Sequence, residues 1–134
     1  MMDWTRQSKA KDFFVNTPSM FSVYYSQLVC QHMIKMGGID YYEALADKKS
    51  QKLYQFLDSS LASDDSLRFI NLVDPQLRSR MNVPFNFGDK SNETELLKAL
   101  NEARFIGLKG HNSLGGIRAS IYNSLEYSDV EALC

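Results

Sequence analysis

A histidine and an arginine stand on either side of a glycine pair in the stretch Gly107-Leu108-Lys109-Gly110-His111-Asn112-Ser113-Leu114-Gly115-Gly116-Ile117-Arg118. These are residue types that bind anions. After the glycines, Ile117, Ala119 and Ile121 alternate with Arg118, Ser120 and Tyr122, the period-2 signature of a half-buried strand. With the apolar set turned to a core, Arg118 projects from the opposite face, where a planar guanidinium can accept a carboxylate in bidentate fashion. The same arginine reads equally as the partner of a surface acid. His111 reads either as an anion contact or as a loop histidine satisfied by backbone groups. Gly110, Gly115 and Gly116 suit positive φ or close approach to a ligand, but their spacing is not that of a dinucleotide or P-loop fingerprint.

A second candidate lies near the start of the chain. Asn16-Thr17-Pro18 reads as a helix start, with Thr17 as cap and Pro18 in the first helical position. The free N–H groups and dipole at such an end favour an anion, and a plain cap is the competing reading. His32 falls inside the same helix and reads as structural. Neither histidine has a second ligand at zinc spacing, so no metal site is expected. No G-x-S-x-G elbow and no cysteine–histidine signature occurs.

Bulk properties narrow the class. A chain of 134 residues, 44% hydrophobic and 23% charged, fits one soluble globular domain. The net charge of −1 leaves no electrostatic footprint for nucleic acid. No apolar run reaches the length of a membrane span, and the N-terminus lacks the apolar stretch of a signal peptide. Cys30 and Cys134 form neither a metal pattern nor a disulfide scaffold, so a reducing, cytoplasmic setting is expected.

The elements that must position these residues follow from pattern. Residues 1–15 show no sustained period. A first long helix is expected to run to about Met36 and stop at Gly37-Gly38, and its apolar residues spread around the wheel, which predicts extensive burial. A second helix is expected from a capping box at Asp40–Glu43 to about Asp58. Tyr42, Leu45, Leu53 and Phe56 fall near one face, with Ser50 among the residues off it. Leu61–Ser66 reads as a loop and Leu67–Val73 as a strand before an Asp74-Pro75 turn. Ser79–Phe87 is a clearer strand, placed by Pro84 at an edge or a bulge. A helix is expected from a capping box at Asn92–Glu95 to about Arg104. Phe105–Leu108 and Ile117–Tyr122 read as short strands, and Ser128 starts a last helix, which looks truncated at Cys134. The order points to an α+β fold, a small and mostly antiparallel sheet with helices packed on it. The expected division is a helical connecting segment at 1–60 and a small domain at 61–134.

Several ordered motifs carry a family resemblance. Asn16-Thr17-Pro18, Gly37-Gly38, Arg78-Ser79-Arg80-Met81-Asn82-Val83-Pro84-Phe85, Leu108-Lys109-Gly110-His111 and Gly115-Gly116-Ile117-Arg118-Ala119-Ser120-Ile121-Tyr122-Asn123 are similar to segments of the phosphoserine aminotransferases. These are pyridoxal-phosphate enzymes of the class-V transaminase group with the type I fold. From about residue 13 onward the chain resembles their C-terminal part. The resemblance implies amino transfer between glutamate and 3-phosphohydroxypyruvate in serine biosynthesis, a homodimer, and small-molecule partners without nucleic acid or membrane. It implies that Asn16 and Thr17 bind the cofactor phosphate of the neighbouring subunit, that Arg118 holds the substrate α-carboxylate, and that His111 and Asn112 lie near the substrate phosphate.

Two departures stand out. The family's cofactor-bearing lysine lies in a G-x-Q-K-N segment that these 134 residues do not contain, so the chain by itself is expected to be inactive. Asn112 stands where the family usually has arginine. Two rival readings are a non-catalytic anion-binding or interaction domain of the same fold, and a class-V transaminase for an unphosphorylated amino acid.

Overall fold

A computed structural model describes residues 4–11, 15–59, 68–71 and 73–134. They form two compact units, Met1–Ile39 and Asp40–Cys134. The first unit holds α1 (Trp4–Lys9) and α2 (Met20–Lys35); α1 is a helix where no period was legible. The cap of α2 is Ser19, two residues later than expected, with its hydroxyl 3.0 Å from that of Ser22. Pro18 explains the displacement, because it biases Thr17 toward extended backbone, and serine is a favoured cap. The helix stops as expected, with Gly37 at φ 120°. Its expected burial is not met. Phe21 is 78% exposed and Ile34 73%, and no residue of α2 is buried. Apolar groups all round a helix select no single face, and none of the described residues of this unit buries them. His32 is exposed as well.

The second unit is built on α3 (Gly38–Ser59), which begins two residues ahead of the expected capping box. Ala46, Lys49, Ser50, Leu53, Tyr54 and Leu57 are buried along it, a stripe recurring every three or four residues. Ser50, expected off this face, is therefore on it. The helix α3 packs into the core of the sheet, and the compact units divide at 39/40. The expected loop Leu61–Ser66 lies outside the described residues, and so does part of the strand expected at Leu67–Val73.

Three strands, β1 (Phe69–Ile70), β2 (Asn82–Phe87) and β3 (Ile117–Ser120), form an antiparallel sheet in that order. Pro84 thus lies in the central strand, not at an edge. The register explains how it is tolerated. Pro84 pairs with Arg118, whose N–H turns away from β2 and donates to Leu108 O at 2.7 Å. This is a non-hydrogen-bonded pair, so the missing proline N–H would face the β1 side. There, among the described residues, β1 pairs with Asn86 and Phe87. One face of the sheet, with Val83, Phe85, Ile117, Ala119 and Ile121, is buried against Leu53, Tyr54 and Leu57 of α3 and Val130 of α5 (Tyr127–Leu133).

The remaining joints differ from expectation in detail. Asp74 caps a 3-10 turn at Pro75–Leu77 by accepting from Gln76 N–H at 2.9 Å. The helix α4 (Lys90–Glu102) is capped by Asp89, which accepts from the N–H groups of Ser91 and Asn92 at 2.8 and 3.0 Å. The expected box at Asn92–Glu95 therefore lies inside the helix. Phe105–Leu108 is not a strand; beside β3 there is an isolated bridge, Lys109 to Ile117. At α5 the N–H of Glu126 donates to Asp129 Oδ2 at 2.9 Å, placing the start one residue ahead of Ser128.

Candidate functional site

The outer face of the sheet is polar because strand alternation makes it so. Asn82, Pro84 and Asn86 of β2 share it with Ser120 and Arg118 of β3, in the register Asn82 to Ser120 and Pro84 to Arg118. Ser120 Oγ and Tyr122 Oη donate to the same oxygen, Asn82 Oδ1, at 3.1 and 3.2 Å.

Arg118 is half-buried on this face. Its Nε is shielded from solvent without a hydrogen-bond partner, and among the described residues it makes no ion pair. A buried donor left without a partner costs on the order of 1–3 kcal/mol, so the guanidinium sits with donor capacity unspent. The contrast with the two arginines of the R-S-R segment lies in their carboxylate partners, since Arg78 Nε is likewise shielded without a partner. Arg78 donates to both oxygens of Asp58 at 2.6 and 2.9 Å and lies 4.6 Å from the centre of the Tyr54 ring. Arg80 donates to Glu43 and Asp47 at 3.2 and 3.0 Å. Both fasten the approach to β2 onto α3. Among the described residues the surface-acid reading of Arg118 finds no such partner.

The loop before β3 is drawn shut by its own backbone. Gly110 N–H donates to Gly116 O at 2.9 Å, and the N–H groups of Leu114 and Gly115 donate to His111 O at 3.0 and 2.8 Å. Gly110 is required by space: a Cβ there would collide with Gly115 O and stand 2.7 Å from Gly116 O. Gly116 is required by its φ of +70°; a Cβ there would also press on Phe85 O at 3.1 Å, while the nearer Asn86 Oδ1 belongs to a side chain that can move aside. His111 Nδ1 accepts from Ser113 N–H at 3.3 Å and lies 2.7 Å from Ser113 Oγ. With Nδ1 accepting, the neutral ring carries its proton on Nε2.

His111 and Asn112 line an open cleft of about 670 Å3 with Lys90, Glu93, Lys109 and Asn86. Asn86 joins this cleft to the arginine, because it lies on the same sheet face as Arg118. The structure therefore brings His111, Asn112 and Arg118 to one side of the second unit. Asn16 and Thr17 belong to the first unit. Both are exposed just ahead of α2, and among the described residues neither side chain has a hydrogen-bond partner. The described residues contain no group of metal-ligating side chains and no helix long and apolar enough to cross a membrane.

Lys49 escaped the sequence reading. It is only 1% exposed, and its Nζ donates to Tyr122 O and Leu125 O at 2.7 and 2.9 Å, holding the turn that follows β3. Burial pushes its pKa down, opposed by the nearby Asp129 carboxylate. The signal was present in the helical spacing, which puts residue 49 on the stripe with Ala46 and Leu53. A lysine there is ordinarily read as surface.

Fold and sequence together place the chain in one family. Residues 2–133 match the model of the family described as Aminotransferase class-V, and the chain belongs to that family. The named relatives within it are phosphoserine aminotransferases. That of a Marinomonas species is 42% identical over 122 residues, covering 91% of this chain and 32% of the relative. That of Bacillus cereus is 38% identical over 133 residues, covering 99% and 35%. The structure of the Bacillus circulans subsp. alkalophilus enzyme superposes with a TM-score of 0.82 at 33% identity, covering 97% of this chain and 34% of that one. The pyridoxal-phosphate-bound enzyme of Trichomonas vaginalis gives 0.81 at 31% identity, covering 98% and 36%. The chain spans about a third of the length of the relatives it matches.

Proposed function

We propose that this chain is the substrate-recognising C-terminal part of a pyridoxal-phosphate-dependent transaminase that moves an amino group between glutamate and 3-phosphohydroxypyruvate. The observation that carries the reading is Arg118, a guanidinium with unspent donors on a polar sheet face that adjoins the cleft of His111. Arg118 takes the α-carboxylate, which every amino-acid substrate carries. His111 presents Nε2–H to the substrate phosphate, and Asn112 adds a neutral amide beside it. Asn16 and Thr17 offer unpaired polar groups to the phosphate of pyridoxal phosphate bound by a neighbouring subunit of a homodimer, and their exposure fits that use. When bound, the cofactor supplies the electron withdrawal that makes the substrate α-proton labile. This chain's residues bind and orient the substrate. A cytoplasmic setting fits its cysteine usage.

The test is Arg118→Lys in the full-length protein that carries this segment. Lysine keeps the charge but not the bidentate fork. A loss of about 1.5–3 kcal/mol, the scale of a hydrogen bond to a charged group, lowers kcat/KM for glutamate and for phosphoserine alike by about 10- to 150-fold. An effect confined to phosphoserine would overturn the carboxylate assignment.

A further inference from the structure

We propose that Asn82 is a binding residue of the same anion subsite, donating from Nδ2 to the carboxylate that Arg118 holds, with Ser120 and Tyr122 as the residues that position it. The inference rests on the carboxylate reading of Arg118 and adds a residue to it.

The placement follows from register. Asn82 lies directly opposite Ser120 and Arg118 directly opposite Pro84, so Asn82 and Arg118 are diagonal neighbours on one face. Diagonal positions stand about 7–8 Å apart in an antiparallel pair, a gap that one carboxylate and two polar side chains can span. The exposed ring of Pro84 between them offers no polar group to compete.

The orientation follows from the hydrogen bonds. Ser120 Oγ and Tyr122 Oη both donate to Asn82 Oδ1. The oxygen is thereby saturated, and the amide turns its two N–H donors outward. Among the described residues, Nδ2 has no partner. A structural asparagine on a strand surface has no need of two hydroxyls to hold one oxygen, whereas a donor that must meet an anion gains from being held in place before the anion arrives. The support continues inward, since Lys49 Nζ fixes the carbonyl of Tyr122 at 2.7 Å. Arg118 and Asn82 thus carry unspent donors on one face, the complement of a ligand that only accepts.

The experiment is a titration of the full-length protein that carries this segment with glutamate, followed by the NMR resonances of the Arg118 Nε–H and the Asn82 side-chain amide. Both are expected to shift and to saturate with one dissociation constant. Asn82→Ala should weaken binding about tenfold or more, the worth of a hydrogen bond to a charged group. Tyr122→Phe, which retains Asn82 but removes one of its two anchors, should give a smaller loss while the Asn82 amide still shifts. If Arg118 responds to glutamate and the Asn82 amide does not, Asn82 only ties the strands together, and the proposal falls while the carboxylate reading stands. If neither responds, the carboxylate reading itself falls. Urea unfolding of each variant separates a lost contact from a lost fold.

Discussion

Replacing Gly110 by alanine tests whether the backbone closure of the loop places His111 beside the strand that carries Arg118. The added Cβ would collide with Gly115 O and lie 2.7 Å from Gly116 O and 2.8 Å from Gly115 C. All three are backbone atoms, so no side-chain rotation relieves them. The loop must open, breaking the 2.9 Å bond from Gly110 N–H to Gly116 O. A lost hydrogen bond of about 1 kcal/mol and overpacking of about 1–3 kcal/mol together predict a loss of about 2–4 kcal/mol. Gly115→Ala is the control, because Gly115 has open space around it but a φ of +70°. It should cost only the left-handed strain, about 1–2 kcal/mol. Urea unfolding of both variants measures the difference, and amide spectra locate it. Gly110→Ala should disturb His111, Gly116 and Arg118 together, whereas Gly115→Ala should stay local. A Gly110→Ala chain no less stable than Gly115→Ala, with Arg118 undisturbed, would refute the reasoning.

Lys49→Met should destabilise the chain by about 1–3 kcal/mol, because Tyr122 O and Leu125 O lose their donor. Since burial lowers the pKa of folded Lys49, the unfolded chain binds the proton more tightly. Wild-type stability relative to the variant should therefore rise as pH climbs through that lowered value and level off above the unfolded lysine pKa of about 10.4; a flat or falling difference in urea unfolding contradicts this. Asp89→Ala removes the cap of α4 and should cost about 0.5–2 kcal/mol, while Asp89→Asn should be nearly neutral, read by thermal unfolding. Asn112→Arg in the full-length protein should lower KM for phosphoserine by about tenfold and leave KM for glutamate unchanged, as steady-state kinetics would report.

What the sequence by itself determined was local. Period-2 alternation is a property of consecutive residues, and it correctly turned Ile117, Ala119 and Ile121 inward and Arg118 outward. The glycines at 110 and 116 were legible as positions of close approach or positive φ, although only the structure says which need each one answers. Helix existence was legible for α2, α3, α4 and α5. Their caps were not, because several polar residues compete near each end, and the winner is the one whose oxygen reaches a free N–H, as Asp89 shows.

What only the tertiary structure decided was partnership. Pro84 argued for an edge strand or a bulge, yet it lies in the central strand, in a pair with Arg118 that exchanges no backbone hydrogen bond. Lys49 carried a surface identity on a buried stripe and is admitted to the core by two carbonyls more than 70 positions away in sequence. Arg78, Arg80 and Arg118 were interchangeable as letters. Tertiary contacts pair the first two with Asp58, Glu43 and Asp47 and, among the described residues, give the third no carboxylate. The reason is physical: alternation and capping depend on neighbours in the chain, whereas the saturation of a charge depends on which distant groups the fold brings within about 3 Å.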